Sequence, residues 1–549
     1  MKKYFIPISS ALLAIVLCVS CNNKQEQTTT TEEKSIMQQK VEEFAMVDLT
    51  TDLSHLSENE RQIISIFIDI AKIMDDLFWK QAFGDKTTLD TISDEWTKRF
   101  ALINYGAWDR LGGMKPFVEG YGEKPLGANF YPADMTKEEF ESLDNPDKNS
   151  LYTIIQRNEN GELNVVWFKD YYKEQLTEVC QLLQKAIDLS ENEGLKNYLI
   201  ERKKAFETDN YFESDMAWMD MKEGLIDFVV GPIENYEDRL FGTKAAYEAF
   251  ILIKDQQWSN DLAKFTKMLP DLQKVLPCED KYKQEIPGTE ADLNVYDVIY
   301  YAGDCNAGSK TIAINLPNDE KVHLKKGTRR LQLKNAMKAK FDKILLPIAE
   351  VILDKEQLNN VKFDAFFSNV TFHEVAHGLG IKNTVSGKGP VREALQAQYS
   401  AWEEAKADIL GLFMVQQLIE NGEINNITVE DAYITFIAGI FRSVRFGSSS
   451  AHGQANMMCF NFFEKAGAFS RNNEGIYHID VEKAKNAMVE WASLILKVEG
   501  EGDLEFATQY NKNNSIISEN LKADLQKIAE RNIPRDIFFN QGKDILNLK

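Results

Sequence analysis

His373 and His377 stand four residues apart in Thr371-Phe372-His373-Glu374-Val375-Ala376-His377-Gly378, with Glu374 directly after the first. On a helix, residues at this spacing share a face, so the two imidazoles project together as metal ligands and Glu374 lies beside them as a base. The chain has only 6 histidines in 549 residues, which makes the pairing a restrictive pattern. Zinc suits this arrangement, and a catalytic zinc needs three protein ligands and an open position for water. Glu404, in Ser400-Ala401-Trp402-Glu403-Glu404-Ala405-Lys406-Ala407-Asp408-Ile409-Leu410-Gly411, is the candidate for the third ligand. Asp408 sits one turn further on, where its carboxylate can accept the second ring N–H of a ligating histidine; Glu403 faces elsewhere and is expected to brace the site. The alternative is a buried helix that happens to carry two histidines, followed by a solvated charged face from Glu403 to Asp408. The apolar run Ile409 to Val415 directly after that face argues against its being solvated.

These side chains need helices to hold them. Phe363, Phe366, Phe367 and Val370 recur at three- and four-residue spacing and Gly378 with Gly380 supplies a stop, which predicts a helix from Asp364 to His377. Earlier in the chain, Ser57 with Glu60 reads as a capping box ahead of the stripe Ile63, Ile66, Phe67, Ile70, Ile73, Met74 and Leu77, and Thr136 with Glu139 repeats the device. Tyr152 to Gln156 and Leu163 to Phe168 flank Asn160-Gly161, a hairpin signal. Helical patterns follow over Leu176 to Phe206, Met457 to Ala466, Val481 to Val498 and Ile516 to Arg531. The fold class is therefore mainly α with a smaller α+β part, in roughly two to four domains.

With 44% hydrophobic and 27% charged residues the chain can bury a large core. Its net charge of −22 disfavours nucleic acid and anionic lipid as partners. At the N-terminus, basic Met1-Lys2-Lys3, an apolar run from Tyr4 to Val19 and Ser20-Cys21 look like a bacterial lipoprotein signal, cleaved before Cys21 with a lipid on its sulfur. Cys18 stands three residues before Cys21, where leucine is commonest in such signals. The expected location is the bacterial cell envelope, with the protein lipid-anchored at the outer membrane on its periplasmic or surface face. Membrane contact is expected only through that anchor. Cys180, Cys278, Cys305 and Cys459 are far apart and show neither a disulfide framework nor a thiolate metal site.

Two further stretches read locally as turns: Gly231-Pro232-Ile233-Glu234-Asn235-Tyr236, and Ile314-Asn315-Leu316-Pro317-Asn318-Asp319. Taken in order with Phe241 to Phe250, the H-E-V-A-H and W-E-E-A-K-A-D motifs and Ser450-Ala451-His452-Gly453-Gln454-Ala455, they resemble the dipeptidyl peptidase III family of zinc metallopeptidases over about Ile233 to Ala468. The resemblance implies one zinc held by His373, His377 and Glu404, with Glu374 as general base. Glu234, Glu248, Asn315 and Asn318 would bind the free N-terminus and first residues of an oligopeptide substrate, and Tyr236 and His452 would stabilise the tetrahedral intermediate. It also implies two lobes around a wide cleft, a helical zinc lobe and a mixed lobe with a small β-barrel. Residues 1–21 would then be the signal and 22–37 a flexible tether. Residues 38–254 and 295–340 would form the mixed lobe, 255–294 and 341–510 the zinc lobe, and 511–549 a segment packed on the mixed lobe.

Three departures from the family pattern stand out. The commoner family motif has one more residue between the histidines, Asp408 replaces glutamate, and Asn456 stands where arginine is frequent. The activity implied is release of dipeptides from peptide N-termini. A zinc aminopeptidase, endopeptidase or amidase and a non-catalytic peptide-binding lipoprotein are the alternatives.

Overall fold

Two large hydrophobic cores divide the described residues, beside a small cluster of Val41, Phe44, Phe100 and Ile103. One draws on residues between 49 and 253, 296 and 339, and 537 and 546; the other on residues between 262 and 295 and from 337 to 528. The structure, a computed structural model, describes residues 34–288 and 292–548; the leader, its Cys21 and most of the tether lie outside the described residues. No helix among the described residues is long and apolar enough to cross a membrane.

The first core is that of the mixed lobe. Its long helix α1 (Glu58–Ala82) opens on a complete Ser57/Glu60 capping box. The helix buries a face wider than the sequence stripe: Ile64 and Ile68 are inside, while Ile66 and Ile73 are half-buried. Phe67 stacks on Phe228 at 4.0 Å and so fixes the helix on the sheet. The second expected capping box does not close: Thr136 caps Glu139 N–H, but the Glu139 carboxylate turns away to Arg157 at 2.7 Å. The Asn160-Gly161 hairpin forms, pairing Thr153–Arg157 with Leu163–Trp167, and stands apart from the main sheet.

That sheet contains β1 (Ile226–Glu234), β2 (Ala246–Lys254), β3 (Asp292–Gly303), β4 (Ala313–Leu316) and β5 (Arg329–Leu333), ordered β1-β2-β3-β5-β4. All neighbours are antiparallel except β3 and β5. β1 and β4 are free edges, so the expected small barrel is an open half-barrel. Glu248 on β2 lies opposite Gly231 and Gly303. A Cβ at Gly303, whose φ is +71°, would sit 2.2 Å from the Tyr247 carbonyl oxygen, so glycine alone lets β3 turn there beside Glu248.

The second core belongs to the zinc lobe, built from α2 (Phe363–Ala376), α3 (Tyr399–Glu420), α4 (Val429–Val444), α5 (Ala451–Lys465) and α6 (Val481–Glu501). Gly411 of α3 makes the crossing with α2 close, since a Cβ there would lie 2.8 Å from the His373 backbone nitrogen. The C-terminal segment divides between the lobes. Leu521 and Ile528 join the helical core, while Asp536–Asn540 reaches the mixed lobe as a strand parallel to Phe44–Asp48 and Leu546 joins that lobe's core. Cys180, Cys278, Cys305 and Cys459 are free.

Candidate metal centre and substrate-facing residues

α2 presents His373 from its last turn and His377 as its C-cap, and α3 crosses it at Gly411, bringing Glu403, Glu404 and Asp408 against the two imidazoles. His373 Nδ1 pairs with Asp408 Oδ1 at 2.7 Å and His377 Nδ1 with Glu403 Oε1 at 2.8 Å. Each ring therefore commits Nδ1 to a carboxylate and leaves Nε2 free, the arrangement that fixes a metal-ligating tautomer. Both Nε2 atoms face Glu404 Oε2, at 3.3 Å from His373 and 4.0 Å from His377. Tetrahedral ligands about 2.0–2.1 Å from zinc lie roughly 3.3 Å from one another, so these separations fit one shared ion.

Glu404 Oε2 supports the same fit. It is buried and has no hydrogen bond of acceptable geometry, although His452 Nε2 is 3.1 Å away. An oxygen close to three imidazoles but aligned with none is aimed at a common point between them. Ligand atoms of His373, His377 and Glu404 all lie within 4.8 Å of one another. The local field also favours a cation. Burial lowers the His373 pKa, but the Asp408 and Glu404 carboxylates outweigh it and hold it well above the ordinary value. Burial likewise opposes ionisation of Glu403, yet the His377 ring and the Lys406 ammonium bring its carboxyl down to about 2. Lys406 Nζ donates to Glu403 Oε2 at 2.8 Å, and its other acidic neighbour is Glu499, whose carboxyl burial pushes up to about 8.

Glu374 and His452 complete this group. The Glu374 carboxylate has no hydrogen bond or ion pair among the described residues, while its backbone oxygen accepts from Arg330 Nη1 of β5 at 2.6 Å. Arg330 thus ties the two lobes together at the residue after His373. Nothing local in the sequence signals it, because the contact spans 44 positions. His452 is the second residue of α5, which Ser450 caps. Asn456, one turn later, donates to Asp408 Oδ2 at 3.1 Å and braces the shorter acid that stands in the family's glutamate position.

The residues expected to meet substrate on the mixed lobe form a second group. Asn318 Nδ2 donates to the Ile233 carbonyl at 3.3 Å, which sets it beside Glu234. Burial raises the Glu234 carboxyl and Asn318 partly offsets this; burial, with Asp304 and Glu234 nearby, raises Glu248 much further. Tyr236 is 73% exposed and its hydroxyl is raised by Glu234 first. Asn315 is exposed on edge strand β4. Among the described residues no contact joins this group to the metal ligands.

A cavity of about 310 Å³ surrounds His373, Glu374, Asp408, His452 and Asn456 and takes Ile312 and Ala313 from the other lobe. A second, of about 270 Å³, is lined by Ile233, Leu316 and Asn318. Strand β4 runs from one to the other.

Fold and site together define a two-lobed metallopeptidase whose ligand set suits zinc. The model of peptidase family M49 matches residues 128–389, a span that holds His373, Glu374 and His377 and ends before Glu404. The structure of dipeptidyl peptidase III from Caldithrix abyssi superposes with a TM-score of 0.87 and 37% identity, covering 92% of this chain and 99% of that one. That of dipeptidyl-peptidase III from Corallococcus sp. strain EGB gives 0.73 and 36%, over 92% and 96% of the two chains. A protein of Arabidopsis thaliana named Nudix hydrolase 3 is 33% identical over 91% of this chain and 73% of its own length. The chain belongs to peptidase family M49, the dipeptidyl peptidase III family.

Proposed function

We infer that the protein is a zinc-dependent exopeptidase that releases dipeptides from the N-termini of oligopeptides. The observation that carries this reading is the convergence of two free Nε2 atoms and the Glu404 carboxylate beside an unpartnered Glu374, in a chain of this family. Zinc held by His373, His377 and Glu404 would lower the pKa of a bound water and polarise the scissile carbonyl. Glu374 takes a proton from the attacking water and delivers it to the leaving amine. His452 and Tyr236 donate hydrogen bonds to the oxyanion as charge develops. Tyr236 belongs to the other lobe, so the lobes close on substrate before it acts.

Glu234 and Glu248 receive the substrate ammonium, with Asn315 and Asn318 holding the first residues. The free edge of β4 offers backbone hydrogen bonds to an extended peptide running between the two cavities. An ammonium anchor at a fixed distance from the metal counts two residues, which makes the product a dipeptide.

A tetrapeptide with a free N-terminus and its N-acetyl counterpart test the anchor. The free peptide is expected to yield a dipeptide, and acetylation to lower kcat/KM by roughly a hundredfold or more through loss of charge-assisted hydrogen bonds. Because Glu234 and Glu248 hold protons above the usual carboxylate range, kcat/KM for the free peptide rises with pH as they ionise, and the acetyl peptide lacks that limb. Equal cleavage of both peptides would discard the anchor and favour an endopeptidase.

We further propose that Cys21 carries a lipid that holds the enzyme at the cell envelope. The basic-apolar-cysteine pattern of the first 21 residues supports this. Fatty-acid labelling should mark the wild type and not Cys21→Ser; equal labelling of both would exclude Cys21 as the acceptor.

A further inference from the structure

Lys406 lies two residues beyond Glu404 on α3, with only 1% of its side chain exposed. A buried ammonium is tolerated where an anion accepts from it. Lys406 Nζ donates to Glu403 Oε2 at 2.8 Å, and the Tyr399 hydroxyl, one turn earlier on α3, donates to the same oxygen at 3.2 Å. Glu403 Oε1 pairs with His377 Nδ1 at 2.8 Å. The two oxygens of Glu403 therefore serve different ends: one steers a metal ligand, and the other is tied down by Lys406 and Tyr399. Glu499 of α6, the other acid beside Lys406, is buried with neither oxygen hydrogen-bonded, so the ammonium is committed to Glu403.

The other imidazole is held in the same way by a different donor. Asp408 Oδ1 pairs with His373 Nδ1, and Oδ2 accepts from Asn456 at 3.1 Å. His373 sits within α2, whereas His377 is its C-cap, and the bond from the His377 backbone N–H to the His373 carbonyl is long at 3.3 Å. A residue at a helix end has less backbone support, so the direction of the His377 ring depends more on Glu403. That is the side on which the fold places a buried cation instead of an amide. A charge-assisted hydrogen bond is roughly twice as strong as a neutral one.

We propose that Lys406, assisted by Tyr399, is a positioning residue for the metal: it fixes Glu403, which fixes the His377 ring, and so tightens zinc binding without touching the ion. This rests on the zinc peptidase reading and concerns how the chain holds its ion.

The experiment measures zinc affinity by chelator competition in the full chain, for wild type, Lys406→Met, Lys406→Arg, Glu403→Ala and the Lys406→Met/Glu403→Ala double variant. Lys406→Met is expected to weaken zinc about tenfold, the lower end of the cost of losing an outer partner of a ligand. Arginine, which keeps a charged donor, should retain most of the affinity. In the Glu403→Ala background Lys406→Met should cost no further affinity, because Lys406 acts only through Glu403. Wild-type affinity in Lys406→Met, or the same loss with and without Glu403, overturns the proposal. If Lys406→Met does not fold, Tyr399→Phe repeats the comparison with the buried charge in place. It is expected to lose roughly threefold, again only while Glu403 is present, and an unchanged affinity overturns the proposal. A wild type that binds no zinc would sink the underlying reading, whereas tight zinc in the wild type with no coupling to Glu403 sinks this proposal alone.

Discussion

Replacing Glu374 by glutamine is expected to lower turnover by about 10²- to 10⁴-fold while leaving one zinc per chain. The amide keeps the size and shape of the side chain but removes the basic oxygen. It also leaves His373 Nδ1 with Asp408 and His377 Nδ1 with Glu403, the contacts that set the ligands. Glu374 is suited to proton transfer because no described residue hydrogen-bonds or pairs with its carboxylate, whereas Asp408 and Glu403 are bound to the imidazole Nδ1 atoms and Glu404 Oε2 faces both Nε2 atoms. Turnover on a dipeptide-releasing substrate, measured together with metal content, separates the base from the ligands. Activity within tenfold of wild type would remove Glu374 from the proton transfer, and lost zinc would make it a ligand.

Glu404→Ala is expected to weaken zinc binding by at least about a hundredfold, with activity falling as the metal is lost. Substituting an outer partner of a metal ligand already costs about 10–100-fold, and Glu404 is closer in than that. Alanine leaves two imidazoles, one fewer than the three protein ligands of a catalytic zinc. It also removes the buried oxygen around which His373, His377 and His452 are arranged. Competition with a chelator of known affinity checks this. Wild-type affinity in Glu404→Ala would mean that the third ligand lies elsewhere.

Much of the metal centre is legible in the sequence because its spacing is short-range. Helical periodicity places His373 and His377 together, and Glu404 with Asp408 one turn apart on the following helix. Glu403 is where that reasoning gives way. One residue is about 100° of helix, so a side chain adjacent to Glu404 is read as facing away. In the fold, α3 crosses α2 so closely at Gly411 that the two Nδ1 atoms diverge to different carboxylates, and Glu403 meets His377.

Contacts between distant segments leave no such trace. The pairing of Phe44–Asp48 with Asp536–Asn540 joins segments far apart in the chain within the mixed lobe, and the Arg330 contact to the Glu374 carbonyl depends on how the lobes meet. The half-barrel belongs with these: Gly231 to Tyr236 and Ile314 to Asp319 read locally as turns, whereas Ile226–Glu234 and Ala313–Leu316 are its edge strands, and whether those edges close on each other is decided by twist and packing across the sheet. Residue types also change partners without warning, as when Glu139 leaves its helix cap for Arg157.

Anomalous diffraction at the zinc edge from crystals of the protein tests the ligand set itself. One peak is expected within bonding distance of His373 Nε2, His377 Nε2 and the Glu404 carboxylate. A peak elsewhere, or an ion held without Glu404, would contradict it.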